Sequence, residues 1–183
     1  MAELLILSLG SNLGDRTSAL RQAITDLGNE VGILLGISPV FETEPFAATG
    51  HPPYLNLVAA FSSRLEPMDV LTITQKIEQM SGRKTKGDLS PRIIDIDLIS
   101  FGRYQIQNEQ LVLPHPRMHL RQFVLRPMLE LCPFWKNPVT GISLADIQCV
   151  CQDSSWVTRH SNLKVYPFGD DRESGFFELN PDT

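Results

Sequence analysis

Pro91-Arg92-Ile93-Ile94-Asp95-Ile96-Asp97 decides how this chain is read. As a β-strand it sends successive side chains to opposite faces, so Asp95 and Asp97 share one side while Ile94, Ile96 and Leu98 share the other. Residues two apart on a strand stand about 6.5–7 Å from each other, close enough for both carboxylates to turn onto one cation or a close pair. A strand with one polar face is ordinarily just half exposed. Asp, however, is depleted from strands, and like charges at successive outward positions repel unless a cation lies between them. A basic loop with Arg83, Lys84, Lys86 and Arg92 runs into the strand. Hard-cation ligands beside such a loop suit a site that handles a polyphosphate.

Outward from that stretch, charge follows the same logic. Residues 75–126 hold nine Lys or Arg against five Asp or Glu, while the remainder holds seven against sixteen, in a chain of net charge −5. A positive segment on an acidic chain suits a small anion, and the overall sign excludes a general nucleic-acid binder. With 183 residues, 42% of them hydrophobic, the chain fits one soluble domain with an ordinary core. Leu4-Leu5-Ile6-Leu7 is too short to span a membrane and follows Glu3 rather than a basic leader, so a cytoplasmic protein with no membrane partner is expected. Cys132, Cys149 and Cys151 are odd in number without metal-site spacing, and read as reduced thiols.

The flanking pattern predicts a strand from Glu3 to Leu9, then a Gly10-Ser11-Asn12-Leu13-Gly14 turn with Asp15 capping a helix that Gly28 stops. A second strand is expected over 32–42, a proline-rich loop over 43–53, and a third strand from Tyr54 to Leu65. Pro67 opens a helix with Val70, Ile73, Ile77 and Met80 as its buried stripe, and Gln75 and Glu78 share one of its faces. After the Asp strand come a helix near Phe123–Leu131 and a shorter one near Leu144–Val150. From Ser155 onward no periodicity is evident. The expected domain is residues 1–155, with 156–183 as a C-terminal extension that is in part disordered. This order predicts an α+β, ferredoxin-like sandwich with a mostly antiparallel sheet flanked by helices.

The ordered set Gly10-Ser11-Asn12-Leu13-Gly14, Thr43-Glu44-Pro45, Tyr54-Leu55-Asn56, Gln75-Lys76-Ile77-Glu78, Gly82-Arg83, Pro91-Arg92 with Asp95-x-Asp97, and Pro114-His115-Pro116-Arg117-Met118 closely resembles 6-hydroxymethyl-7,8-dihydropterin pyrophosphokinases. The resemblance runs over about residues 4–150. It implies a monomeric folate-pathway enzyme that moves pyrophosphate from ATP to a pterin alcohol, releases AMP and uses two Mg2+ ions. It implies Asp95 and Asp97 as metal ligands, catalytic together with Arg83 and Arg92. Gln75, Glu78, Arg83, Arg92, His115 and Arg121 fall on its nucleotide positions. Thr43, Pro45, Phe46, Tyr54, Asn56, Asp95 and Phe123 fall on its pterin positions, with Tyr54 and Phe123 as stacking walls. Thr85 and Leu89 stand where relatives carry an Arg and a Trp. His51, His119 and His160 read as structural or surface residues. Two rival readings are an Asp-x-Asp nucleotidyltransferase and a non-catalytic, nucleotide-sensing ferredoxin-like module. The first ordinarily keeps a Gly-Ser turn about a dozen residues from its Asp pair, whereas Gly10-Ser11 and Asp95 are far apart here.

Overall fold

The computed structural model of the protein describes residues 1–45, 50–82 and 91–163. The expectations placed on Phe46, Arg83, Lys84, Thr85, Lys86, Leu89 and residues 164–183 lie outside those described. Strand β1 (Glu3–Ser11) leads into helix α1 (Arg16–Glu30), then β2 (Ile33–Ile37), β3 (Val40–Thr43) and β4 (Tyr54–Ser63). Helix α2 (Pro67–Met80) precedes β5 (Asp95–Phe101), a short β6 (Ile106–Gln107) and β7 (Val112–Leu113) hairpin, α3 (Gln122–Leu131), α4 (Leu144–Cys149) and β8 (Val157–Ser161). The main sheet runs β5-β1-β4-β3-β8, with β2 also on β4, and every pairing is antiparallel. The strand–helix–strands–helix–strand order closed into an antiparallel sheet is the ferredoxin-like α+β arrangement the sequence predicts.

Both faces of the sheet are covered, which explains why β1 reads as an unbroken apolar run. Leu5, Leu7 and Leu9 pack against Leu20, Ile24 and Leu27 of α1 and Val70 and Ile77 of α2. Ile6 of β1, Val58 and Ala60 of β4 and Ile99 of β5 pack against Val124, Leu125 and Met128 of α3 and Leu144 and Ile147 of α4. In β5 the alternation falls as read: Ile96 and Leu98 are buried with the first cluster, and Asp95 and Asp97 occupy the other face. A register shift opposite Ile6 and Leu7 lets Phe101 return to the α1/α2 side. No described helix is long and apolar enough to cross a membrane.

Several boundaries differ from the pattern's reading. The strand expected over 32–42 is two strands broken at Ser38-Pro39, because proline cannot donate to a ladder. There the Ser38 hydroxyl accepts from Val58 N–H at 3.0 Å and so closes the gap. Met80 does not belong to the buried stripe; it is 78% exposed, and Glu78 is buried in its place. Val157–Ser161 forms a strand where no periodicity showed, because four of its five residues are exposed at the sheet edge and so carry no apolar alternation. Cys132 is buried, and burial pushes its thiol up to about 12; Cys149 is exposed and Cys151 half-buried, and all three are free thiols.

Gly28 does not stop α1, which continues to Glu30. The chain turns at Gly32 (φ +147°), where a Cβ would run into the Ser62 carbonyl of β4. Gly32→Ala is therefore expected to lower stability by more than about 1 kcal/mol. Gly28→Ala, in a helix interior with open space around its Cα, should raise it by about 0.5–1 kcal/mol. Urea midpoints of the two variants check the pair, and a loss in Gly28→Ala would contradict the assignment.

Candidate active site

The polar residues gather on the α3 face of the sheet, beyond the apolar cluster. Gly10 stands opposite Asp95 on one side and Asn56 on the other, and Ser8 stands opposite Asp97. Asn56 in turn faces Phe41, and Tyr54 faces Thr43. Cross-strand partners share a face, so Asp95, Asp97, Asn56, Tyr54 and Thr43 project from one surface across four strands. Gly10 lies in its middle because nothing larger fits. A Cβ there would come within 2.6 Å of Asn56 Oδ1 and 3.5 Å of Tyr54 Cδ1.

Among the described residues, each aspartate meets an arginine. Arg92 Nη1 donates to Asp95 Oδ1 at 2.7 Å, and Arg121 Nη1 donates to Asp97 Oδ2 at 3.0 Å. The two carboxylates are 29% and 34% exposed, so they are reachable from solvent yet largely shaped by protein. Arg121 also lies over the Phe123 ring, 5.4 Å from its centroid. Both residues sit at the start of α3, so one helix end supplies a cation and an aromatic wall. Burial raises the Tyr54 phenol above its ordinary range, the Asp95 carboxylate adds to this, and Arg92 opposes it. Tyr54 is thus within electrostatic reach of both groups. His115 donates its backbone N–H to Ile99 C=O at 2.8 Å and accepts at Nδ1 from Arg117 N–H at 3.1 Å. Burial holds its imidazole below the usual range, Asp97 pulls the other way, and Arg121 and Arg117 help lower it. A neutral ring accepting at Nδ1 carries its proton on Nε2.

On the pterin side of the expected site, Asn56 Nδ2 donates to Thr43 Oγ1 at 2.8 Å, and both residues are buried. That bond fixes the amide, leaving Oδ1 over Gly10. Gln75 and Glu78 do not join this surface. They belong to α2, on the opposite face, where buried Glu78 Oε1 accepts the N–H of Ile96 at 2.9 Å. An edge-strand donor would otherwise lack a partner, so Glu78 also holds β5, the strand of the aspartates. Gln75 makes no hydrogen bond to a described site residue.

Sequence reasoning passed over two residues that assemble these loops. Asn12, 2% exposed, donates its backbone N–H to Arg92 C=O at 3.0 Å, accepts Arg92 N–H on Oδ1 at 2.6 Å, and donates Nδ2 to Pro52 C=O at 3.4 Å. One side chain thereby ties the turn after β1 to the approach to β5 and to the loop before Tyr54. Arg16 Nη1 reaches both Glu42 Oε1 at 3.0 Å and Pro53 C=O at 2.7 Å, bracing the same loop from α1. The Gly-Ser-Asn turn was legible, but partners 80 positions away were not.

As a metal site the donor set is coherent. Among the described residues no group of three or more His, Cys, Asp or Glu could hold an ion by itself. Asp95 and Asp97 offer hard oxygens on one face and would share an ion with oxygens from another source. Magnesium binds in that manner, through one or two carboxylates with phosphates and water. The residues fit.

A family model for 7,8-dihydro-6-hydroxymethylpterin-pyrophosphokinase (HPPK) matches residues 6–133. The chain belongs to that family. The 2-amino-4-hydroxy-6-hydroxymethyldihydropteridine pyrophosphokinase of Porphyromonas gingivalis is 46% identical over 136 residues, covering 72% of this chain and 92% of that protein. The Bacillus subtilis protein of the same name is 38% identical over 133 residues, with coverage of 72% and 80%. Wild-type HPPK-DHPS of Plasmodium falciparum has a similar structure, with a TM-score of 0.66 at 14% identity. The match takes in 80% of this HPPK chain and 44% of that one, so this chain spans less than half of the solved protein. At such identity the likeness carries the fold, and it agrees with the ferredoxin-like layout described above.

Proposed function

We infer that this HPPK-family protein transfers the pyrophosphoryl group of ATP to the hydroxymethyl oxygen of 6-hydroxymethyl-7,8-dihydropterin, releasing AMP, as a step of folate synthesis. The observation that carries the reading is the shared surface itself. Two aspartates, each on its own arginine, lie across Gly10 from a fixed Asn56–Thr43 pair.

The pterin lies between Tyr54 and Phe123, which give a flat heterocycle two aromatic surfaces. Asn56 and Thr43 meet its polar edge, the amide both donating and accepting; Pro45 and, by the family resemblance, Phe46 serve the same substrate. The hydroxymethyl oxygen attacks the β-phosphorus in line as the oxygen bridging to the α-phosphorus departs with AMP. Asp95 and Asp97 would hold two Mg2+ ions, which when bound supply charge neutralisation at the phosphate oxygens. Arg92 and Arg121 then exchange their carboxylate partners for phosphate oxygens, with Arg83 as a third cation. Planar guanidinium forks suit that contact. His115 serves the nucleotide side through the proton on Nε2; Gln75 and Glu78, expected there from the family motif, act from α2 behind the sheet, Glu78 by holding β5 through the Ile96 N–H. Catalysis is mainly positioning and electrostatic stabilisation, since among the described residues no side chain is placed as a dedicated base. A monomer is the state the family resemblance implies, and ATP as donor supports a cytoplasmic setting.

Product analysis tests the assignment. With ATP, magnesium and the pterin alcohol, the protein should yield AMP and a pyrophosphorylated pterin in equal amounts. Free pyrophosphate with a nucleotide adduct, or ATP bound and returned unchanged, would replace the reading with a nucleotidyltransferase or a sensor.

A further inference from the structure

The first turn of α3 carries Arg121 and Phe123, yet Arg121, its N-cap residue, supplies no side-chain cap. The cap comes from 31 positions away. Asp153 Oδ2 accepts the Gln122 N–H at 2.8 Å, while Asp153 Oδ1 accepts from the Ser155 N–H at 3.0 Å and from the Ser155 hydroxyl. A carboxylate at a helix start satisfies an N–H that has no partner within the helix and complements the helix dipole. Partial burial of Asp153 works against its charge, but the bonds from the Ser155 hydroxyl, Gln122 N–H and Ser155 N–H prevail and hold the carboxyl below its ordinary range.

Three residues farther on, the same segment grips the opposite side of the site. Trp156 N–H donates to Glu44 Oε1 at 3.3 Å, and Val157 opens β8 directly opposite Thr43 of β3. Residues 153–161 are thus fastened at one end to the helix turn bearing Phe123 and at the other to the strand end bearing Thr43. Neither attachment belongs to the apolar core: Trp156 is 42% exposed and four of five β8 residues are exposed.

We propose that Asp153 and Glu44 are positioning residues, and that the segment they anchor sets the spacing between the Phe123 and Thr43 sides of the pterin pocket. The inference rests on the pterin reading given above. It predicts a selective defect, because Arg121 keeps its own tie to Asp97 and the nucleotide side is held independently.

Steady-state kinetics of full-length Asp153→Ala, Asp153→Asn and Glu44→Ala, with melting temperatures, test it. Asp153→Ala should raise the pterin KM about fivefold, the scale of a lost cap, with kcat and the ATP KM within about twofold of wild type. Asp153→Asn retains one acceptor oxygen for Gln122 N–H and should restore most of the wild-type KM. Glu44→Ala should shift the pterin KM in the same direction from the other end. A lowered melting temperature with an unchanged pterin KM would reduce the segment to a structural role and overturn the proposal. If Asp153→Ala does not fold, Glu44→Ala decides: an unchanged pterin KM sinks the idea. Wild-type protein forming no AMP in the same assay marks failure of the functional reading itself, and takes the inference with it.

Discussion

Replacing Asp97 with alanine should lower the rate of AMP release by about a thousandfold at saturating substrates. Asp97 shares its face with Asp95 and holds Arg121 at 3.0 Å, while Arg121 lies 5.4 Å from the centroid of the Phe123 ring. On the proposed function the substitution removes a hard-oxygen ligand, and it also leaves a guanidinium without its anchor beside the Phe123 ring. Two losses on one surface should compound. Asp97→Asn separates them, since the amide keeps a hydrogen bond to Arg121 but is a poor magnesium ligand. Were the charge the deciding quantity, Asn would be almost as inactive as Ala. Were the arginine anchor the deciding quantity, Asn would recover substantially. Circular dichroism should be unchanged in both, because the side chain is 34% exposed and outside the apolar clusters. Turnover above about a tenth of wild type in Asp97→Ala would remove the metal assignment.

What the sequence made legible was what is local. The alternation around Asp95 and Asp97 placed both carboxylates on one face because strand geometry depends on neighbours two apart. Asp15 capped α1 as expected, its side chain accepting from Ser18 N–H at 3.0 Å, because an N-cap bond spans three residues. The element order sufficed for the ferredoxin-like class, since short connections leave few topologies.

What escaped the reading was long-range or polar. Asn12 and Asp153 act on partners 80 and 31 positions away, and no pattern in a single chain encodes those distances. Strand β8 escaped because edge strands need polar residues, which erase the apolar period. Glu78 was expected at a nucleotide position, and a carboxylate on a helix is ordinarily exposed. Its burial becomes intelligible only once β5 is seen as an edge whose Ile96 N–H needs an acceptor. The motif set proposed the site residues, whereas the contacts that hold them in place join segments far apart in the chain.

Gly10→Ala should leave the fold intact and cut kcat/KM for the pterin about a hundredfold, the scale on which a site loses a substrate whose polar edge it can no longer pair. Its Cβ would stand 2.6 Å from Asn56 Oδ1, closer than any real contact. The backbone has no need to move, because the obstructing atom is the end of a side chain that can rotate. Rotation, however, breaks the 2.8 Å bond from Asn56 Nδ2 to Thr43 Oγ1 and turns the amide from the pocket. The stability lost should be only about 1 kcal/mol, the scale of one neutral hydrogen bond. ATP affinity should be unchanged, since Arg92 and Arg121 lie with the aspartates rather than with Asn56. The double variant Gly10→Ala/Asn56→Ala gives the stricter check. If the methyl group acts by displacing Asn56, removing that side chain first leaves nothing to displace, and the double variant should bind pterin no worse than Asn56→Ala alone. Additive losses would mean that Gly10 meets the substrate directly, and a wild-type pterin KM in Gly10→Ala would mean that Asn56 does not meet it at all.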